Sequence, residues 1–170
     1  MGVMSATAEL DAARDAFVAA YEDVPDPALA WLKPGDDYAL GGIVTHVQNS
    51  ADEYTATLQR IVDAGFRDTE GPAFDPADVE RVRAKARAGI GMGERTAAFA
   101  AFGRSHDHLT RVARGVPELA FDRLVGISFA PDEAPYPTSA RLIVQWMTDH
   151  YREHVPQVRE LLEAWRAQRT

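Results

Sequence analysis

Apolar residues recur at three- and four-residue steps over much of this chain, the spacing that lines one face of an α-helix. In the closing segment, Thr138 to Trp165, the residues Ile143, Trp146, Met147, Val158, Leu161 and Trp165 form such a stripe. His150 and His154 fall on it, so both imidazoles are expected to face inward. The first segment is capped at Ser5 or Thr7 and runs to about Tyr21, with Leu10, Ala13, Phe17 and Ala20 inward, until Pro25 and Pro27 end it. Ala28 to Leu32 forms a short turn. Pro34-Gly35-Asp36 then opens a long second helix that reaches about Ala64 and closes at Gly65. Leu40, Ile43, Val47, Ser50, Tyr54, Leu58 and Ile61 make its buried stripe, with His46 at the edge, one turn after Ile43.

Residues 65 to 76 combine glycine, prolines and acidic side chains and read as a solvated loop ending in the Asp75-Pro76 helix start. A third helical region extends to about Ala113. Gly89, Gly91 and Gly93 interrupt it, predicting two helices in line or one bent helix. The Gly-Ile-Gly-Met-Gly run is no phosphate loop, since no strand precedes it and no Lys-Ser/Thr follows. Gly115 to Pro137 is irregular, with a short helix within Pro117 to Val125, and Ile127-Ser128-Phe129 is too short to support a sheet. Four main helices, long connections and no alternating strand pattern predict an all-α protein, a four-helix bundle with long crossover connections. Residues 1–170 read as one domain.

Charge narrows the function classes. With 18 basic and 26 acidic residues the net charge is −8, and no Lys/Arg-rich run appears, so nucleic acid is not an expected partner. Residues 1 to 15 lack a basic region followed by an apolar core, and no segment approaches the ~20 apolar residues of a membrane span, so a cytoplasmic protein is expected. The chain has no cysteine, so any thiol in its chemistry comes from outside.

The histidines carry the candidate chemistry. His150 and His154 are one turn apart, about 6 Å along a helix, which lets both rings reach one metal ion. His46 faces inward from another long helix, and bundle packing can bring it beside them. Three neutral imidazoles leave coordination positions free, the composition of a catalytic metal site rather than a sealed structural one. Zinc and nickel stand foremost, with iron or manganese also suited to imidazole. Glu53, two turns beyond His46, and Gln157, three residues beyond His154, are placed to orient a ligand ring or a bound water. His106 follows Phe99 and Phe102 on an apolar face and is a third residue that can approach the site, whereas His108 aligns with Arg104 and Arg111 and is expected in water. Asp149 and Glu153 are expected to point to solvent.

An N-terminal helix, the Thr45-His46-Val47 helix and a closing helix with His150-x-x-x-His154-x-x-Gln157 together resemble the DinB/YfiT-like superfamily of metal-binding four-helix bundles, over essentially the whole chain. The resemblance implies that His46, His150 and His154 are ligands of a divalent metal ion. It further implies a metal-dependent enzyme using a low-molecular-weight thiol, as the family's mycothiol- and bacillithiol-dependent enzymes do, to transfer sulfur to an electrophilic small molecule. The alternatives are a metal-dependent hydrolase that activates water and a non-catalytic metal-binding stress protein. A homodimer is also expected from the family, because long bundle helices offer a flat face for a two-fold contact.

Overall fold

The structure is a computed structural model that describes residues 2–73, 75–130, 132 and 134–169. Residue 74, in the predicted 65–76 loop, and residues 131 and 133, in the predicted irregular connection, lie outside the described residues, as do residues 1 and 170. Five α-helices are present among the described residues: α1 (Val3–Ala19), α2 (Gly42–Asp63), α3 (Pro76–Ala88), α4 (Arg95–Arg114) and α5 (Ala140–Ala167). α1 packs on α5 and α2 on α4, and α2 also touches α5, which makes the four-helix bundle; the short α3 lies outside it against α2. The predicted fold class therefore holds.

The core is the set of stripes read from the sequence. Leu10 and Phe17 of α1, Ile43, Val47, Leu58 and Ile61 of α2, and Ile143, Met147 and Val158 of α5 are fully buried. Trp146 and Trp165 are only half-buried and pack against the margin. Tyr151, which the stripe omits, is completely buried and packs edge-on to Phe102 with 5.8 Å between centroids.

Two boundaries differ from expectation, each because a hydrogen bond to a distant segment replaces a local signal. Neither Ser5 nor Thr7 caps α1; the helix starts at Val3, whose N–H donates to the Glu118 carboxylate 3.1 Å away. α2 begins at Gly42 and not at residues 34–36, because the preceding segment pairs with distant backbone: Leu40 N–H donates to Trp31 O, Gly41 N–H to Leu29 O and Ala39 N–H to Ala86 O. The third helical region breaks as expected: Gly89 (φ 74°) and Gly93 (φ 79°) sit in the left-handed region between α3 and α4.

The expectation that the connections support no sheet is overturned. Strands β1 (Thr69–Glu70), β2 (Val125–Ser128) and β3 (Tyr136–Thr138) form a three-stranded sheet in that order. β1 pairs parallel to β2 (Thr69↔Ile127), and β2 pairs antiparallel to β3 (Val125↔Thr138, Ile127↔Tyr136). Each strand is too short to announce itself, and the β1–β2 pairing joins segments more than 50 residues apart, a partnership no local pattern encodes. Pro137 fits because it lies on an edge strand. The predicted short helix in the connection is one 3₁₀ turn, Glu118–Ala120. Two other helix starts carry side-chain caps: Asp75, at the predicted start of α3, accepts from Ala77 N–H at 2.9 Å, and Ser139 accepts from Leu142 N–H at 3.2 Å. No helix among the described residues is long and apolar enough to cross a membrane.

α2 and α3 meet at a glycine that admits no side chain. A Cβ at Gly42 would lie 1.6 Å from Ala86 O, a backbone atom that cannot rotate away. Gly42→Ala is therefore expected to cost at least about 2 kcal/mol as the helices are forced apart. At Gly103, inside α4, an added Cβ meets nothing within 4 Å, so Gly103→Ala is expected to stabilise by about 0.5–1 kcal/mol. Urea unfolding of both variants checks the opposite signs.

Candidate metal centre

α2 presents His46 and α5 presents His150 and His154 to the same half-buried space between the two helices. One ring nitrogen from each lies within 4.8 Å of the other two, a spacing from which small ring rotations reach one ion at the ~2.0–2.1 Å of a metal–imidazole bond. The centroids are 4.9 Å apart for His46 and His150, 5.2 Å for His46 and His154, and 4.6 Å for His150 and His154, with the rings steeply inclined to one another. No carboxylate joins the cluster among the described residues.

Two neighbours fix the orientation of individual rings. Gln157 Oε1 lies 2.6 Å from His154 Nδ1, so Nδ1 carries the proton and donates, leaving the Nε2 lone pair directed away from Gln157. Tyr38 stacks on His46 with 4.5 Å between centroids and 18° between planes. The Nε2 atom of His150 is buried and has no hydrogen-bond partner. A buried polar atom without a partner is costly unless something supplies the missing bond, and a metal ion does so for an imidazole lone pair.

Electrostatics keep these lone pairs free of protons. Desolvation, followed by repulsion from His154, lowers the His46 pKa from 6.5 to about 4. Desolvation, then His154 and His46, lowers that of His150 to about 4 as well. Burial also lowers the His154 pKa, against the opposing effects of its bond to Gln157 and the charge of Glu153. All three rings are therefore neutral at neutral pH, the state in which imidazole binds a metal. The donor set, all nitrogen, suits a divalent transition metal and not the oxygen-seeking calcium or magnesium.

The remaining sequence candidates divide. Gln157 touches a ring of the cluster, as its spacing suggested. Glu53 does not: its Oε1 accepts from the Asn49 side chain at 2.8 Å, although it lines the same cleft as His46. His106 is fully buried, and its ring bonds lie elsewhere. Its Nε2 is 2.9 Å from Asp11 Oδ1 and its Nδ1 is 3.1 Å from the Tyr151 hydroxyl, with Thr110 Oγ1 3.3 Å from Nε2. With Nε2 protonated, Tyr151 donates to Nδ1, Nε2–H donates to Asp11, and Arg114 donates to the other Asp11 oxygen at 2.7 Å. This chain ties α1, α4 and α5 together one residue after His150. His108 and Glu153 are exposed, as expected, whereas Asp149 is half-buried. Sequence reasoning missed Tyr38 and Tyr151. Tyr38 lay within what looked like the start of α2, and Tyr151 lay one step off the apolar stripe.

The family model of the DinB superfamily matches residues 9–158. A solved Streptococcus pneumoniae structure from a structural-genomics programme superposes with a TM-score of 0.66, covering 98% of this chain and 91% of that one at 7% identity, a likeness of fold. No curated protein matches significantly.

Two outcomes follow from this geometry. Tyr151→Phe leaves His106 Nδ1 buried without its donor and is expected to cost about 1–3 kcal/mol in urea unfolding. For metal-free protein, the folded pKa values of His46 and His150 lie below the unfolded value, so their contribution to stability is complete above about pH 6.5 and is lost as the pH falls toward about 4. The melting temperature is expected to fall across that window, and His46→Gln/His150→Gln to flatten the dependence.

Proposed function

The chain belongs to the DinB superfamily, and on that premise we propose that His46, His150 and His154 hold one divalent metal ion in an enzyme that transfers a small thiol to an electrophilic substrate. The observation that carries this reading is the convergence of three neutral imidazoles, with the His150 Nε2 atom buried and otherwise unpaired. His46, His150 and His154 would hold the ion through neutral nitrogens that leave its charge uncompensated, and the ion would supply the Lewis acidity that lets a thiol ionise near neutral pH.

The chain's own residues set the conditions for that chemistry. Gln157 selects the His154 tautomer whose Nε2 is free. Tyr38 holds the plane of the His46 ring. Packing between α2 and α5 keeps water away from the rings and thereby keeps protons off them. The protein has no cysteine, so the nucleophilic sulfur belongs to a second substrate, which needs room beside the imidazoles. A cavity of about 760 Å³ that includes the His46 wall supplies it.

Single replacements His46→Ala, His150→Ala and His154→Ala are each expected to abolish tight metal binding while far-UV circular dichroism stays helical. Elemental analysis showing full occupancy in one of them removes that residue from the ligand set. Chelation is expected to lower the melting temperature without unfolding the bundle at ~25 °C, since the apolar core folds without metal. A screen of thiols against alkyl and epoxide electrophiles is expected to show turnover that disappears on chelation and returns with metal. Turnover that is metal-dependent but indifferent to added thiol identifies a water-activating hydrolase instead.

A further inference from the structure

The cavity beside His46 lies between α2 and α3, and its walls are unevenly charged. Asp37, Asp52, Glu53, Asp75 and Asp78 line it, and Arg83 is the one cationic side chain among its described lining residues. Arg83 is already paired with Glu80 at 2.5 Å. Asp78 is paired with Arg81, and Asp37 lies 3.7 Å from Arg87, but Glu53 and Asp75 have only neutral partners, the Asn49 amide and the Ala77 N–H. Asp52 is exposed and pairs with no cation among the described residues. His46 belongs both to the cavity's lining and to the imidazole cluster and so joins the two, and the carboxylates set the sign of the cavity. A concave surface with low-dielectric walls focuses such a field, and the net charge of −8 adds to it at longer range.

We infer that the α2–α3 cleft is the entrance to the three-imidazole site and that it selects small cationic molecules, bearing an amine or quaternary ammonium group, over anionic ones. This rests on the reading of the site as a metal-dependent thiol enzyme. It assigns the charge class of the molecule that enters, which that reading leaves open. Carboxylate-rich thiols are disfavoured here, because each negative charge brought into the cleft meets like charge.

The cleft is tested first without metal. Metal-free protein is titrated with putrescine, a diamine, and with succinate, a dianion of similar length, while the backbone amide shifts of Asn49, Asp52 and Val82 are followed. Putrescine is expected to move these resonances, with the effect fading at about 0.5 M salt, and succinate to leave them in place. Shifts with succinate, or none with putrescine, overturn the inference.

The second measurement uses Co(II)-loaded protein and three thiols of equal reach: thiocholine (fixed positive), 2-mercaptoethanol (neutral) and 2-mercaptoethanesulfonate (fixed negative). Dissociation constants come from the thiolate-to-cobalt absorption band. The preference for thiocholine over mercaptoethanesulfonate is compared between wild type and Asp52→Asn/Asp78→Asn, so that intrinsic thiol acidities cancel. It is expected to drop roughly three- to tenfold in the variant, and an unchanged ratio overturns the inference. The two readings fail separately. If putrescine fills the cleft but no thiol reports at cobalt, thiol transfer falls and charge selection stands. Thiols that bind with an unchanged ratio, with putrescine inert, give the reverse.

Discussion

Three imidazoles from two helices occupy one desolvated space, and the rest of the molecule holds α2 and α5 at the separation this demands. Burial opposes a proton on each ring, and at His46 and His150 the neighbouring imidazoles add to it. The same conditions give the cluster its use. Lone pairs kept free of protons could take a metal ion, and its binding would offset the cost of burying them. Gln157 and Tyr38 then remove the freedom of two of the rings, through one hydrogen bond and one stacked face.

Holding two helices together involves the other elements. On the far side of the α5 turn that carries His150, the Tyr151 hydroxyl joins His106, Asp11 and Arg114, a chain that crosses three helices. Each ring nitrogen and both Asp11 oxygens have partners, which lets a buried histidine and a half-buried aspartate contribute order without an unpaired charge. On the α2 side, the bare surface of Gly42 brings the α3 backbone into contact, and Ala39 bonds Ala86 across the same junction. The close approach of α3 also forms one wall of the cleft that reaches His46. The Gly42–Ala86 junction thus sets both the packing of α3 on α2 and one wall of that cleft.

Regular periodicity was the most legible feature. The stripes of α1, α2 and α5 report burial directly, because a helix places every third or fourth side chain on one face whatever it packs against. His46, His150 and His154 were readable for the same reason, and Gln157 followed from helical spacing alone. His106 was correctly assigned to an inward face, but its position on the face did not tell which partner it would meet. Tyr38 belongs to a segment whose conformation comes from pairing with residues 29–31 and 86, so no local pattern placed its ring against His46.

By itself the sequence determined the helical bundle, the inward faces and the three imidazoles that share them, since these depend on composition and on a period internal to each segment. Only the tertiary structure decided where α2 begins, that the connections fold into a sheet, and that His106 binds Asp11 and Tyr151. The physical reason is common to all of these. Each depends on a hydrogen bond or close contact whose partner is chosen by the packing of whole helices, and where that partner lies far along the chain a local pattern carries no record of it.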